Sequence, residues 1–516
     1  MVYELRGTNI DWEYKALRSR RHSLSSVAGA SWPRGLVLGG SGTIGTMKYE
    51  RGNRRDYDNW EQLGNVGWSW KDVIKYFKKS ENNNAWQSSK LHGTKGFLFV
   101  DNYESLDPLN RIVMTAANEL GFENINDLSI AKNLGIGWAQ FMVENRTRCS
   151  SAKAFLSTIR HRKNLHVMKH AFVTSISFTG DNVARGVNFI LRNKHSLRAM
   201  ARKEIVISAG AVNTPKLLLL SGIGRKVDLA PFNISLRANL NVGYNLQDHV
   251  AIPLFYKFSK LSQSDIYYNL EKVLNLFDFA LKNRSQPLTS HHMAGLTLNL
   301  NTHNASGSFA DAQVVYQPFK KGGFTSYSML RKMGYNHQVV KSIQRIEQEA
   351  DVVMAMICVL NPQSRGVIKL VTADPYQDPA IKAAYFNEYE DLKTLVRAIK
   401  IHQQMLTTNS FRNSGAQLHR LNIPACQFIQ YATDEYWECY IRHVSVSMYH
   451  PAGTTKMGPD DDPEAVVDSR LKVKQVANLR ILDASIMPRI VSGGLTAPTI
   501  MIAEKGADMV KEDTII

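Results

Sequence analysis

Two widely separated stretches read as the same local unit, a strand that ends in a tight turn and feeds a helix. A chain that carries this unit twice must build at least part of itself as an α/β layer. In the first, Ile205-Val206-Ile207 is a buried-strand run and Gly210 breaks it. Asn213 or Thr214 can cap a helix whose first position suits Pro215, residues 217–220 pack, and Gly222 stops the helix. In the second, 479–482 is the strand and Asp483-Ala484-Ser485 starts the turn. Residues 488–498 form a glycine-containing loop, and a helix runs over 499–510 from Thr499.

Between the two, from 251 to 439, the texture changes. Stretches 312–316 and 352–360 read as strands and 389–405 as a long amphipathic helix, so this block is a sheet with covering helices. Earlier, 110–121 has helical spacing through Ile112, Val113, Ala116 and Leu120, and another helix starts near Asp72. Short strands are expected at 165–167, 172–178 and 183–191.

Gly40-Ser41-Gly42-Thr43-Ile44-Gly45 spells the dinucleotide fingerprint, but its context does not. That fingerprint closes a strand and opens an amphipathic helix onto a pyrophosphate. Here Gly52 and the charged residues Lys48, Glu50, Arg51, Arg54, Arg55 and Asp56 stand where the helix should run. The glycines can still approach a phosphate, though not as the first turn of a βαβ unit.

A net charge of +18 raises the question of nucleic acid, yet the cations are spread along the chain in short clusters without a zinc-finger or RNP-type motif. Nucleic-acid binding is not expected. The four cysteines make no CxxC and have no histidines at zinc spacing, so no metal is expected; Cys426 and Cys439 are the candidate disulfide pair. Sequons stand at Asn145, Asn233, Asn283 and Asn304. The N-terminus shows no apolar signal-peptide region, and no apolar window is long enough to span a bilayer. Absence of G-x-S-x-G, HExxH and Walker patterns removes the usual support for hydrolase, zinc-protease and nucleotidase readings.

His450 lies in Tyr449-His450-Pro451-Ala452-Gly453-Thr454. The following proline biases it toward extended backbone, and Gly453 permits a close approach. Such an imidazole is either a general base or a hydrogen-bonded structural histidine. His249 and the pair His291-His292 read as structural or surface residues.

The segments 32–41, 49–60, 210–218 with 221–224, 242–249, 449–458 and 482–505 together resemble the glucose-methanol-choline (GMC) oxidoreductase family, on its insect glucose-dehydrogenase-like branch. The resemblance implies an α/β fold with two domains. A discontinuous flavin-binding domain would take 1–250 and 440–516, and a substrate domain with an antiparallel sheet would take 251–439. It implies non-covalent FAD, with Gly39, Gly40 and Ser41 along the pyrophosphate and flavin ring and Val173 holding the adenine side through its backbone. Asp483 and Ala484 would meet the cofactor again, and Thr496 and Ala497 would face the flavin pyrimidine. His450 would take the hydroxyl proton of an alcohol, polyol or sugar while hydride passes to flavin N5. The helix from Thr499 would favour negative charge on the reduced ring. Secretion would suit both the resemblance and the sequons, and the electron acceptor stays open.

Departures from the family pattern are equally specific. Gly494 stands where a second histidine or asparagine is usual, Gly42 and Gly45 where serine and asparagine are usual, and Thr455 where close relatives often have cysteine. Residue 1 corresponds to a point beyond the family's opening βαβ unit. Without that unit the ADP half of FAD is expected to lose its main cradle, and the parallel sheet its central strand. Two readings therefore stand: an FAD-dependent alcohol or sugar oxidoreductase, or a truncated, non-catalytic member that does not retain FAD and acts as a binding protein.

Overall fold

The computed structural model describes residues 5–102, 104–105, 107–129, 134–145, 147–260, 295–304, 307–323 and 325–515. His291, His292 and the sequon asparagine Asn283 lie outside the described residues.

Helix α1 (Arg54–Gln62) begins where Asn53 and Asp56 close a capping box, Asn53 accepting from the Arg55 N–H and Asp56 from the Asn53 N–H. It buries Tyr57 and Trp60. The helix expected near Asp72 is α2 (Trp70–Ser80), which buries Val73, Tyr76 and Phe77. Asp107 caps α3 (Pro108–Glu119), with proline at the position where its missing N–H costs nothing. Strands β1 (Asn124–Ile125) and β2 (Gly135–Trp138) follow.

Residues 165–167, expected as a strand, are irregular: the Leu165 N–H turns back onto Arg162 O, and none of the described residues pairs with the triplet. Three strands, β3 (Ala171–Phe178), β4 (Ala184–Leu191) and β5 (His195–Met200), then fold as an antiparallel ribbon. The sequence does not flag β5, because the strand is exposed throughout and its alternation, Ser196-Leu197-Arg198-Ala199, is short.

Strand β6 (Ile205–Ile207) feeds α4 (Gly210–Leu220), which starts at Gly210 rather than at Pro215. Pro215 lies inside the helix, where its ring nitrogen cannot donate to Ala211 O. Thr454 Oγ1 donates to that oxygen instead, at 2.7 Å. The expected stop holds, with Ser221 as C-cap and Gly222 in the left-handed region at φ +84°.

The strands β7 (Val250–Phe258), β8 (Leu296–Leu300), β9 (Ala312–Phe319), β10 (Asp351–Val359), β11 (Ala416–Leu418) and β12 (Val446–Ser447) join β1 and β2 in one eight-stranded sheet. The order is β11-β7-β10-β9-β8-β2-β1, with β12 on β7; every pair is antiparallel except β1 with β2. The sheet thus draws its far edge from before residue 250. All of β10 is buried, which suits an apolar run covered on both faces. Helix α5 (Tyr389–Gln403) covers one face, where the Tyr256 and Tyr316 hydroxyls lie 2.8 and 3.0 Å from the two ring nitrogens of His402. A disulfide joins Cys426 to Cys439 on α6 (Asp434–Val444).

Strand β13 (Leu479–Ile481) pairs in parallel with β6, which brings the two strand–turn–helix units side by side. The final helix α7 (Thr496–Ile515) starts at Thr496, three residues before the expected start at Thr499. Thr499 donates to Leu495 O from both its N–H (3.0 Å) and its hydroxyl (2.7 Å), and Pro498 sits in the first turn, where no N–H is required. One apolar core surrounds the eight-stranded sheet; a second surrounds β6, β13, α2 and α7. The result is a mixed α/β architecture. Among the described residues, no helix is long and apolar enough to cross a membrane.

Candidate active site

A cavity of about 810 Å³ lies between the paired strand–turn–helix units and the face of β9 and β10 opposite α5. Of the residues singled out from sequence, Gly39, Gly40, Ser41, Asp483, Ala484, Thr496 and His450 line it. Val173 and Ala497 do not. Val173 is paired with Phe189 just before a register shift in β3, and the residue is 38% exposed; Ala497 is buried in the second core.

The glycine run forms one short helical turn, Ser41–Ile44, with Gly40 as its N-cap. Gly39 and Gly40 both take positive φ, +87° and +54°. A Cβ on Gly39 would meet Thr43 Oγ1 at 2.4 Å, whereas one on Gly40 would meet nothing within 4 Å. Gly40 therefore presents bare backbone to the cavity. The carboxylate of Asp483 is used internally: Oδ2 accepts from Gly210 N (2.9 Å) and Thr214 Oγ1 (2.6 Å), and Oδ1 from Ser485 N (2.8 Å). It fixes the two turns against each other at the cavity floor. The Thr496 amide, without an intrahelical acceptor, carries the positive end of α7 to the same wall.

Tyr449, at φ +66°, turns the chain after β12 so that His450 enters the cavity. Asp248 holds this turn by accepting from His450 N (2.8 Å), Ser447 Oγ (2.5 Å) and the Tyr385 hydroxyl. Burial pushes the Asp248 carboxyl up to about 6 in spite of those donors. Nδ1 of His450 lies 2.9 Å from Nδ1 of His249, and Nε2 of His249 lies 3.1 Å from Leu360 O.

These contacts assign the protons. A carbonyl only accepts, so His249 carries its hydrogen on Nε2. Burial pushes His249 down to about 4, so it is neutral near pH 7 and its Nδ1 is an acceptor. His450 must then donate from Nδ1. Burial, with His249 and the cations Arg34, Lys48 and Arg6 nearby, holds His450 well below its ordinary value, so it too is neutral. Its Nε2 is left as an unprotonated base. His249, expected as a structural or surface residue, is buried and sets this tautomer.

The space above Gly494 is filled from elsewhere in the chain. Glu50 accepts from Gly494 N at 2.7 Å and from Gln313 Nε2 at 3.2 Å, and pairs with Lys48 Nζ at 2.7 Å. A Cβ on Gly494 would lie 3.1 Å from Glu50 Oε2. Burial raises the Glu50 carboxyl, but Lys48, Gly494 and Gln313 outweigh it and keep the group below the usual carboxylate range. Sequence reasoning missed Asp248, His249, Lys48 and Glu50. The first two sit in the quoted 242–249 segment; the alternation Lys48-Tyr49-Glu50, which turns Lys48 and Glu50 to the same side, was the available signal for the others.

A second cavity of about 850 Å³ between α1 and α5 is lined mainly by amide and charged side chains; the sequon asparagine Asn304 is on its wall, but none of the candidate catalytic or cofactor-binding residues is.

A family model described as GMC oxidoreductase matches residues 23–251 with its N-terminal part and 362–503 with its C-terminal part. Over 511 residues the chain is 35% identical to a glucose dehydrogenase (FAD, quinone) of Drosophila pseudoobscura pseudoobscura, covering 98% of this chain and 79% of the relative. It is 32% identical over 521 residues to an ecdysone oxidase of Spodoptera littoralis, covering 98% and 83%. Among solved structures, a pyridoxine 4-oxidase from Mesorbium loti superposes with a TM-score of 0.81 at 22% identity, over 99% of this chain and 90% of that one. A formate oxidase gives a TM-score of 0.84 at 21% identity, again over 99% and 90%. The last two likenesses are of fold.

Proposed function

Because this chain belongs to the GMC oxidoreductase family, we propose that its cavity is a site of alcohol oxidation in which His450 Nε2 takes the proton of a substrate hydroxyl. The observation that carries this reading is the His450–His249–Leu360 chain, which leaves Nε2 unprotonated in the cavity near pH 7.

FAD is the cofactor of this reading, and when bound it supplies the hydride acceptor that alcohol oxidation needs. The cavity fits it. Gly40 and Gly210, at positive φ and with open space where a Cβ would stand, allow backbone contact, and the Thr496 amide and the dipole of α7 favour a charge-bearing ring edge. Residues 39–41, the start of α4, the Asp483-Ala484 turn and Thr496 would hold it without a covalent link.

The chain's own groups do the rest. Asp248 orients His450 through its backbone, and His249 accepts from Nδ1, so the imidazolium formed on proton transfer keeps a hydrogen-bonded partner. Glu50, at the place a residue-494 side chain would hold, is an acceptor for a substrate hydroxyl rather than a donor. The substrate class is an alcohol, the group named for a relative 34% identical over 488 residues, an alcohol dehydrogenase (acceptor) of Pseudomonas putida. We further take the protein to be secreted, which the Cys426–Cys439 disulfide and exposed sequon asparagines Asn145, Asn233 and Asn304 support.

The test is to purify the chain, add FAD, remove free cofactor and record the visible spectrum before and after adding an alcohol. Retained flavin absorbance that bleaches with substrate, with bleaching lost in His450→Ala, is the expected result. A colourless protein that never retains FAD would contradict it.

A further inference from the structure

We infer that the β3–β5 ribbon and the segment leading into it form a docking surface for a linear anionic polysaccharide bearing sulfate or carboxylate groups. The cations that form it line neither cavity, so the surface stands apart from the reading of His450.

Residues 160–203 hold ten lysines and arginines and one acid, Asp181, a net +9 that is half of the chain's +18 in 44 of its 516 residues. All ten cations are exposed. Among the described residues none of the ten is in an ion pair, and the acids that border the stretch are taken by other cations, Glu144 by Lys153 at 2.7 Å and Glu204 by Arg480 at 3.1 Å. Like charges gathered in this way repel one another, and a bound polyanion relieves that repulsion.

The fold brings them together. Arg192 N donates to His170 O at 2.8 Å, which sets the turn from Arg192 to Lys194 beside Lys169. Ala201 N donates to Arg185 O at 2.7 Å, which sets Arg185 beside Arg202 and Lys203. Between these two ends runs β5, the edge strand of the ribbon, with Arg198 opposite Asn188. Six residues of strand span roughly 20 Å at ~3.3 Å per residue, so the charge forms a track rather than a point. Cations on an edge strand also discourage pairing with another chain. That role does not extend to Arg160, Arg162, Lys163 and Lys169, which precede β3.

A track of charge suits a linear polymer better than a compact anion. Single-stranded nucleic acid also needs open aromatic faces on which bases stack. Here Phe172 is stacked on Tyr376 with 4.9 Å between ring centroids, Arg237 lies 4.8 Å above the Phe178 ring, and Phe189 is buried. The stretch holds no helix to lie in a bilayer interface. A charged polysaccharide requires neither feature.

The test is surface plasmon resonance of the purified chain at about 0.15 M salt over immobilised heparin, duplex DNA and vesicles of phosphatidylcholine with phosphatidylserine. Heparin should bind tightest. The quadruple variant Arg192→Gln, Lys194→Gln, Arg202→Gln, Lys203→Gln changes only exposed side chains, so its melting temperature should match the wild type. It should weaken heparin binding by about tenfold or more and flatten the slope of log Kd against log salt by roughly one per cation removed. A control that removes the same charge from exposed sites elsewhere, Lys78→Gln, Lys90→Gln, Lys95→Gln, Lys341→Gln, should stay within about threefold of the wild type, because distant charges are screened. No binding to heparin, an equal loss in the two variants, or tighter binding to DNA or to vesicles would each overturn the inference.

Discussion

His249 decides which nitrogen of His450 faces the cavity, so the reactive atom is set by a residue that does not touch the substrate. Replacing it with leucine removes the acceptor for His450 Nδ1–H and frees the ring to adopt either tautomer. His249→Leu is expected to lower the rate of flavin bleaching by roughly a hundredfold, the low end of what a positioned general base contributes, with FAD retention unchanged; stopped-flow absorbance measures both. At Gly494 the constraint is volume. Asparagine there must displace Glu50, whose Oε2 would lie 3.1 Å from the new Cβ. Gly494→Asn alone should lower stability by about 1–3 kcal/mol, since it breaks a buried ion pair and its hydrogen bonds. In a Glu50→Ala background the same substitution should cost much less, as urea titrations of the four proteins would reveal.

Helix α4 depends on a residue far from it in sequence. Thr454 supplies the hydrogen bond that Pro215 cannot, so Thr454→Val leaves Ala211 O without its donor and should destabilise by about 1–3 kcal/mol. Adding Pro215→Ala restores an amide to that carbonyl and should recover part of the loss, which a double-mutant cycle by thermal melting detects. His402 makes a pH-dependent case on α5. Burial pushes it down to about 3, whereas the unfolded imidazole takes a proton near ~6.5. The folded state binds fewer protons between those values, so the contribution of His402 is whole above ~6.5 and drains away as pH falls toward 3. His402→Phe leaves two tyrosine hydroxyls unpaired and should lower the melting temperature more at pH 7.5 than at pH 5. The local pattern of these elements is legible in the chain: the apolar periods of α2, α3, α5, β9 and β10 lie close to where the sequence puts them. The starts of α4 and α7 are not, because a proline reads locally as a helix boundary, Pro215 as a first helical position and Pro498 as the end of a loop, and what tolerates Pro215 inside α4 is a threonine on another segment. The exposed β5 carries only the short alternation Leu197-Arg198-Ala199 as a local signal.

Across the whole molecule, the site is a meeting of segments. His450 and the Asp483-Ala484 turn are visible as motifs, and the glycine run is visible as something other than a βαβ turn, which its single helical turn 41–44 bears out. The pairing of His249 with His450, and the filling of the Gly494 space by Glu50, are contacts between residues hundreds of positions apart, with no periodicity to announce them. The parallel pairing of β6 with β13 creates the floor by bringing Gly210 and Thr214 to Asp483, and the eight-stranded sheet supplies the opposite wall. The central claim is that this assembly presents His450 Nε2 as a neutral base. The most direct test is the anaerobic rate of flavin bleaching by an alcohol as a function of pH, in the wild type and in His450→Gln. A wild-type rate that stays level as pH falls from 8 to ~6.5 and drops only below it, with a loss on the order of a hundredfold or more in His450→Gln across the range, is the predicted result. A His450→Gln protein that bleaches at the wild-type rate would contradict it.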